Sequence, residues 1–277
     1  MNPFEERAKK QQRINDSVKG IKHIIAVGSG KGGVGKSTVS VNLALSLAKK
    51  GFAVGLADAD IYGPSLPTLF NIEKPEIYAT QKDGQELMIP MNKYGLKLMS
   101  VGFMVDNDTP LMWRGPMASN ALVQLLSETD WGELDFLILD MPPGTGDIQL
   151  TLIQSFHPSG GLFVCTPAQL ATADVKRAVK MFDADNVKIP IYGLVENMSY
   201  FTPSDMPEKK YYIFGKDGAK NLARDLNIDF FGEIPLSEEV NTCNDNGNPV
   251  AMLFDSPQAK AYMDLADKII EKTKITE

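Results

Sequence analysis

IIAVGSGKGGVGKST, residues 24–38, is a glycine-rich loop between an apolar run and a helical run. It contains the pattern G-x-x-x-x-G-K-S/T from Gly30 to Ser37, with a second lysine, Lys31, five residues before the usual Lys36. Glycines at this spacing let backbone N–H groups curl around phosphate oxygens without interference from Cβ atoms. The loop therefore predicts that the chain binds the phosphates of a nucleotide.

The flanking segments supply the context that this loop requires. Residues 21–27 are predicted to form a strand, and residues 38–50 a helix with Val41, Leu45 and Ala48 on one face. Such a helix points its positive end at the bound anion, while the loop lysine reaches the outer phosphates and the following serine offers a hydroxyl to Mg²⁺. The predicted nucleotide-binding residues of the loop are Gly30, Lys31, Gly32, Gly33, Val34, Gly35, Lys36, Ser37 and Thr38.

Composition excludes several functional classes. The chain has 277 residues, of which 43% are hydrophobic and 23% charged, and a net charge of −7. These values are typical of a globular protein with a sizeable core, and they argue against a broad nucleic-acid surface. No apolar run is long enough to span a membrane, and the amino terminus lacks the apolar core of a signal peptide, so we expect a cytoplasmic protein. Two cysteines are too few for a disulfide framework.

From residue 21 onward, short apolar runs alternate with helical patterns. The further predicted strands are 52–58, 96–102, 136–140, 161–167, 191–197 and 229–235, and the further predicted helices are 117–128, 148–155, 169–182, 216–226 and 256–272. Strands that are apolar on both faces and separated by helices predict an α/β fold, a mostly parallel sheet covered on both sides. Ligands of such sheets bind beyond the carboxyl ends of the strands.

Three other segments complete the predicted organisation. Residues 1–20 are charged and lightly amphipathic and are interpreted as a helical extension of a single domain, 21–277. Residues 77–90, with Asp83-Gly84 between apolar stretches, predict a small inserted hairpin. Residues 201–210 are rich in proline and charge, which is typical of a mobile segment.

Two predicted strands end in carboxylates. Asp58 and Asp60 follow one apolar run, and Asp140 follows another before the sequence MPPGTGD. A carboxylate at this edge can accept a hydrogen bond from an attacking water or hold Mg²⁺ directly or through water. We therefore predict Ser37, Asp58 and Asp140 as magnesium residues and interpret the turn after Asp140 as a switch loop that senses the γ-phosphate.

Several strings narrow the interpretation to a family. KGGVGKST with the extra Lys31 resembles the deviant Walker-A ATPases, which include nitrogenase iron protein and the septum-site and partition ATPases. DADIYGPSLP, MWRGPM, DMPPGTGD, CTPAQLATADVKRAVKMF and VENMSYF further resemble the Mrp/ApbC branch of iron–sulfur cluster carriers. The resemblance covers residues 20–270, without the small extra domain that many members carry in front.

The resemblance implies a P-loop NTPase fold and a homodimer whose subunits face each other across sandwiched ATP. Lys31 matches the lysine that reaches the partner's phosphates, where it would act much as an arginine finger does. Asp60 matches the residue that orients the attacking water, and Asp140 the switch aspartate near Mg²⁺. Lys31, Lys36, Asp60 and Asp140 are thus the candidate catalytic residues. Asn197 matches an asparagine that contacts adenine, a role that suits the donors and acceptor of an amide.

The chain departs from the family where the cluster ligands are expected. Carriers of this branch have a C-P-x-C pair just after VENMSYF, which holds a bridging 4Fe–4S cluster across the dimer. Pro203 and Met206 stand at these positions, and neither supplies a thiolate. Cys165 lies within an apolar strand and is expected to be buried. Cys243 is the remaining candidate ligand for an iron–sulfur cluster, and it is a weak one. We expect this residue to be exposed.

Three functions remain open at this point, the third being a nucleotide-gated binding module with negligible turnover. The first is a Mg²⁺-dependent ATPase of the cluster-carrier branch, which serves apoproteins or assembly partners. The second is an ATP-driven dimeric switch that acts through a protein partner without a metal cluster. We expect no nucleic-acid or membrane partner, since the carboxyl-terminal helical pattern has balanced charge.

Overall fold

The structure is a computed structural model that describes residues 3–73, 75–82, 84–104, 115–203, 205–237, 240, 242–243, 246–253 and 256–274. The first three residues of MWRGPM, 112–114, lie outside the described residues, as does Asp83 of the predicted hairpin turn. The strands are β1 (Ile21–Gly28), β2 (Val54–Asp58), β3 (Ala79–Lys82), β4 (Gln85–Met88), β5 (Met91–Lys93), β6 (Leu96–Ser100), β7 (Leu134–Asp140), β8 (Gly160–Cys165), β9 (Ile191–Phe201) and β10 (Phe230–Leu236). The helices are α1 (Pro3–Val18), α2 (Lys36–Lys49), α3 (Leu66–Leu69), α4 (Gly115–Ser127), α5 (Asp147–Phe156), α6 (Gln169–Asp183), α7 (Gly218–Leu226) and α8 (Pro257–Lys274).

Eight strands form one sheet in the order β10-β9-β8-β1-β7-β2-β6-β5. Every neighbouring pair is parallel except β5 and β6, which are antiparallel at one edge. The central strands are buried along their length because both faces of the sheet are covered by helices. The predicted α/β class and its mostly parallel sheet are confirmed.

Each face of the sheet has its own hydrophobic core. One core joins the sheet to α1, α4, α5, α6 and α7, and the other joins it to α2, α3 and α8. Consecutive helices stay on one side over long stretches: α2 and α3 cover one face, α4 to α7 cover the other, and α8 returns to the first. This three-layer arrangement leaves the carboxyl ends of the parallel strands open as a site.

The helix after the glycine loop differs from its predicted form in two ways. It begins at Lys36 rather than at residue 38, and it is buried almost all round instead of along one face. The reason is its position, since α2 contacts the sheet on one side and α8 on another. Three polar side chains of α2 make hydrogen bonds inside this core by donating to backbone carbonyls one helical turn earlier. The Ser46 hydroxyl, for example, donates to the Asn42 carbonyl at 2.8 Å.

The predicted hairpin is present as β3 and β4, which pair antiparallel with Lys82 opposite Gln85. Gly84, in the turn, has a φ of 75°, which a residue with a Cβ rarely adopts. The Met88 amide donates to the Glu128 carbonyl at 2.6 Å, so the hairpin is attached to the end of α4. The helix predicted within residues 1–20 is α1, and its Ile14 is buried in the first core. The division into an extension and a domain stays a prediction.

Two further observations concern the surface. Among the described residues, none of the helices combines the length and apolar character needed to cross a bilayer. The segment after β9 is closed at its base, because Phe201 and Tyr211 exchange two backbone hydrogen bonds of 2.9 and 2.8 Å. Residues 205–216, beyond this closure, are all exposed.

Candidate nucleotide site

Sheet register brings the predicted carboxylates to the glycine loop. Strand β7 lies between β1 and β2, with Asp140 opposite Val27 on one side and opposite Asp58 on the other. The glycine loop follows β1 at this same end of the sheet, where the carboxyl ends of β1, β2 and β7 lie side by side. The structure therefore brings Asp58, Asp140 and the loop together.

The glycines of the loop serve different geometric needs. Gly33 and Gly35 have φ values of 77° and 79°, in the left-handed region that favours glycine. A Cβ on Gly30 would lie 2.2 Å from the carbonyl carbon of Asp174, so the loop passes directly against α6. Helix α2 starts without a side-chain cap at Gly35, which leaves its first N–H groups for an anion.

A buried ion pair lies beneath the loop. Lys36 Nζ is 2.7 Å from Asp140 Oδ1, and the two side chains are 6% and 0% exposed. Ser40 Oγ donates to the same carboxylate oxygen at 2.7 Å. Asp140 Oδ2 is buried and has no hydrogen-bond partner among the described residues. A carboxylate that is half satisfied in a dry environment is costly unless a ligand completes it.

These residues fit a magnesium ion. Mg²⁺ prefers oxygen ligands, and it usually retains waters while using one or two protein oxygens and the substrate phosphates. The orphaned Asp140 Oδ2 is one such oxygen. The Ser37 hydroxyl is another, and it lies close enough to accept a hydrogen bond from Lys36 Nζ at 3.2 Å.

Both carboxylate oxygens of Asp58 accept hydrogen bonds from other groups of the protein. One of its oxygens accepts from the Asp60 amide at 3.1 Å. The other accepts from the Ser65 and Leu66 amides at 2.9 and 3.2 Å and from Ser100 Oγ at 3.1 Å. Burial, followed by the charge of Asp140, raises the pKa of Asp58 to about 6. These bonds anchor the loop that carries Asp60 and the start of α3, so the magnesium role of Asp58 stays a prediction.

Asp60 lies between strand β2 and helix α3 and is half-buried. Burial raises the pKa of Asp60, and the positive charge of Lys36 offsets part of this rise. The position near Lys36 is consistent with the water-orienting role that the resemblance implies, and that role stays a prediction. Lys31 is also half-buried, and its backbone carbonyl accepts from Ser29 Oγ at 3.0 Å.

Asn197, at the carboxyl end of β9, contacts the glycine loop directly. Its Nδ2 donates to the Val34 carbonyl at 2.8 Å, and it is 6% exposed. The same nitrogen would lie 2.3 Å from a Cβ on Gly35, so glycine is required there. Asn197 is thus placed at the nucleotide loop, where it supports the backbone that surrounds the phosphates.

Sequence reasoning missed two residues that hold the site, Ser40 and Gln149, and one, Glu196, that ties strand β9 to α7. Ser40 shares the Asp140 oxygen with Lys36. Gln149 of α5 is buried and donates to the carbonyls of Pro142 and Pro143 at 3.2 and 2.5 Å, which fixes the predicted switch loop. Glu196 accepts from the Ala219 amide at 2.6 Å at the start of α7. The sequence did contain a signal for Ser40. It is a polar residue one helical turn after Lys36 in an otherwise apolar helix, which places both side chains on the same face.

The two cysteines are buried on opposite faces of the sheet, Cys165 in one core and Cys243 in the other. Cys165 is buried as predicted, and burial, followed by the charge of Glu196, raises the pKa of its thiol to about 12. The expectation that Cys243 is exposed is wrong, because this residue is 9% exposed and packs in the core beside α8. Among the described residues, no group of three or more histidine, cysteine, aspartate or glutamate side chains is arranged to hold a metal ion.

Comparison with known families gives the assignment. The family described as ParA, NUBPL iron-transfer P-loop NTPase, matches residues 20–270 of the chain. The chain belongs to this family. The resemblance to iron–sulfur carrier NTPases is therefore confirmed, and so is the P-loop NTPase fold, whose glycine loop is the one at residues 30–37.

Individual relatives agree with this membership. An iron–sulfur cluster carrier protein of Aquifex aeolicus is 50% identical over 252 residues, which cover 90% of this chain and 67% of that protein. An iron–sulfur cluster transfer protein NUBPL of Dictyostelium discoideum is 47% identical over 260 residues, covering 94% and 79%. A nucleotide-binding protein of Archaeoglobus fulgidus, solved in complex with ADP and with Co, has a TM-score of 0.75 and 37% identity, covering 88% of this chain and 94% of that chain.

Proposed function

We propose that this member of the iron-transfer family is a Mg²⁺-dependent ATPase that acts as a homodimer. The observation that carries the proposal is the buried Lys36–Asp140 pair beneath the glycine loop, with Asp140 Oδ2 left without a partner. The ADP complex of the Archaeoglobus fulgidus relative supports adenine nucleotide as the ligand of this loop.

Each residue has a role that its chemistry suits. Lys36 neutralises the outer phosphates, and the free N–H groups of α2 hold them. Asp140 and Ser37 would hold Mg²⁺, which supplies charge neutralisation on the phosphate oxygens. Asp60 accepts a hydrogen bond from the attacking water, and its raised pKa brings it closer to the pH at which a carboxylate is an effective proton acceptor. Lys31 contacts the nucleotide of the second subunit.

The cluster is cargo in this proposal, and its ligands do not come from the chain's own thiols. Pro203 and Met206 stand where the family pattern has cysteines, and both actual cysteines are buried. We infer that a client or assembly protein supplies the thiolates, while this chain supplies the nucleotide cycle. The cytoplasmic location stays a prediction.

Phosphate release from ATP tests the proposal. We expect magnesium-dependent turnover that rises with protein concentration, because each site requires Lys31 of the second subunit. Asp60→Asn should abolish turnover while fluorescent ATP analogues still bind, and Lys31→Ala should lower turnover and remove its concentration dependence. Lys50→Ala, at the other end of α2 in a surface ion pair, is the matched control. Turnover equal in wild type and Asp60→Asn would contradict the proposal.

A further inference from the structure

Two buried polar side chains near the nucleotide loop have no role in the proposed phosphate and magnesium contacts. Gln149 is 5% exposed and Ser29 is 1% exposed, although both carry groups that must form hydrogen bonds when they are buried. The hydrogen bonds of both side chains go to backbone carbonyls close to the site. These partners show which parts of the chain the two residues hold in place.

Gln149 holds the predicted switch loop, residues 141–146. Its Nε2 donates to the Pro142 carbonyl at 3.2 Å and to the Pro143 carbonyl at 2.5 Å. Gln149 itself is one of the buried residues of α5, so the position of its amide is fixed by the packing of that helix. The switch loop is therefore attached to α5 by a side chain that has little freedom to move.

Ser29 connects the switch loop to the backbone of Lys31. Its carbonyl accepts from the Gly144 amide at 3.0 Å, and its Oγ donates to the Lys31 carbonyl at 3.0 Å. Gly30 lies between them, so close to α6 that a Cβ would be 2.3 Å from the Val175 backbone nitrogen. The segment from Ser29 to Lys31 is thus held by three contacts, and one of them comes from the switch loop.

The direction of the Lys31 side chain depends on this backbone. Lys31 is half-buried, and its ammonium forms no ion pair within the part of the chain that the structure describes. The path of the backbone on either side therefore decides where the ammonium can reach. Such positioning matters for catalysis, because a misplacement of about 1 Å can lower a rate about 100-fold.

We propose that Gln149 and Ser29 are positioning residues that make the placement of Lys31 depend on the switch loop. Gln149 fixes the loop, the Gly144 amide connects the loop to Ser29, and the Ser29 hydroxyl connects it to Lys31. This inference rests on the proposed function and deepens it, because it names the contacts that control the lysine of the second subunit's site. A switch loop that senses the γ-phosphate then presents Lys31 according to the nucleotide that is bound.

Burial makes this chain of hydrogen bonds act as a unit. A buried donor or acceptor that loses its partner is destabilised more than an exposed one, which water can satisfy. Because Gln149 and Ser29 are both buried, the switch loop and the segment that carries Lys31 are expected to move together between discrete arrangements. Neither segment is expected to move alone.

Hydrogen–deuterium exchange of the nucleotide-free protein tests this connection without nucleotide chemistry. Gln149→Met keeps the length of the side chain but removes both hydrogen bonds to the switch loop. The matched control is Gln258→Met, because Gln258 is also 5% exposed and also lies in the first turn of a helix. We expect Gln149→Met to raise exchange about fivefold in peptides that span residues 141–147 and 29–35, and the control to raise it in neither.

Two exchange results would overturn the proposal. The first is a rise in Gln149→Met that is confined to the switch loop and leaves the glycine loop unchanged. The second is an equal rise throughout the sheet, including the distant strand β10, which would show a general loss of stability.

A double-mutant cycle on ATP turnover tests whether Ser29 acts through Lys31. Ser29→Ala should lower turnover about fivefold, the effect of one hydrogen bond, while the affinity for ATP stays within about twofold. In the Lys31→Ala background the same change should have no further effect, because the side chain that Ser29 positions is gone. The matched control is Ser46→Ala, which removes a buried hydroxyl that donates to the Asn42 carbonyl at 2.8 Å and should leave turnover unchanged.

The two experiments separate this inference from the proposed function. An equal loss of turnover from Ser29→Ala with and without Lys31 would overturn the inference, because Ser29 would then support the loop in general. A wild type without turnover would overturn the proposed function, and the exchange experiment would still decide whether the two loops are connected. Turnover by wild type, together with unchanged exchange of the glycine loop in Gln149→Met, would overturn the inference alone.

Discussion

Removing the charge of Lys36 should destabilise the nucleotide-free protein strongly. In Lys36→Met the side chain keeps its length and apolar stem, but Asp140, which is 0% exposed, loses the ammonium at 2.7 Å. The carboxylate is then left with Ser40 on one oxygen and no partner on the other. Breaking one partner of a buried pair costs about 3–5 kcal/mol, and we expect a loss in this range.

A second substitution should restore much of this loss. Asp140→Leu in the Lys36→Met background removes the uncompensated charge, and replacing a buried ion pair by apolar residues is often neutral or stabilising. Ser40 remains satisfied in the double variant because its hydroxyl also reaches the Lys36 carbonyl at 3.1 Å. We therefore expect the double variant to be more stable than Lys36→Met alone.

Urea unfolding followed by far-UV circular dichroism, without nucleotide, measures these free energies. The control is Lys50→Met, at the residue that follows the last residue of the same helix. Its ion pair with Asp267 is also 2.7 Å long, but the side chains are 22% and 56% exposed. Such a pair contributes about 0–1 kcal/mol. Two results would contradict this prediction: Lys36→Met that unfolds at the same urea concentration as the control, or a double variant whose loss of stability equals the sum of the two single losses.

Three other predictions follow from single contacts. Asn197→Ala removes the hydrogen bond to the Val34 carbonyl and should weaken binding of a fluorescent ADP analogue by about five- to tenfold, the equivalent of about 1 kcal/mol; unchanged affinity would show that the bond does not support the loop. Gly30→Ala should lower thermal stability by about 1–3 kcal/mol because its Cβ meets the backbone of α6, whereas Gly32→Ala, with open space around it, should not. The Cys165 thiol, with its pKa raised to about 12 by burial, should react with Ellman's reagent at pH 8 only after unfolding. Fast reaction of the native protein would contradict its burial.

The fold could be predicted from sequence because its signals are local. The glycine pattern, the apolar strands and the Asp-Gly turn each lie within a few residues, and the structure places a strand, helix or hairpin at each. The contacts that complete the site are not local. Asn197 reaches Val34 across 163 positions, and Ser40 reaches Asp140 across 100, so only the folded sheet reveals them.

The error at Cys243 has the same origin. Its neighbours in sequence, NTCNDNG, are polar and suggest exposure, yet the folded chain places it in a core formed by distant elements. The one-faced pattern predicted for α2 failed similarly, because α8 covers a side of that helix that local spacing leaves open. Local polarity is a weak guide to burial wherever tertiary packing decides it.

Anaerobic reconstitution with iron and sulfide, with and without ATP, tests most directly whether this chain has the nucleotide chemistry of its family without the cluster ligands. Iron per chain and absorbance from thiolate-to-iron charge transfer are measured on wild type and on Cys243→Ser. We expect ATP turnover by a colourless protein, with the same low background of bound iron in wild type and in Cys243→Ser. A coloured wild type with stoichiometric iron and sulfide, lost in Cys243→Ser, would contradict it.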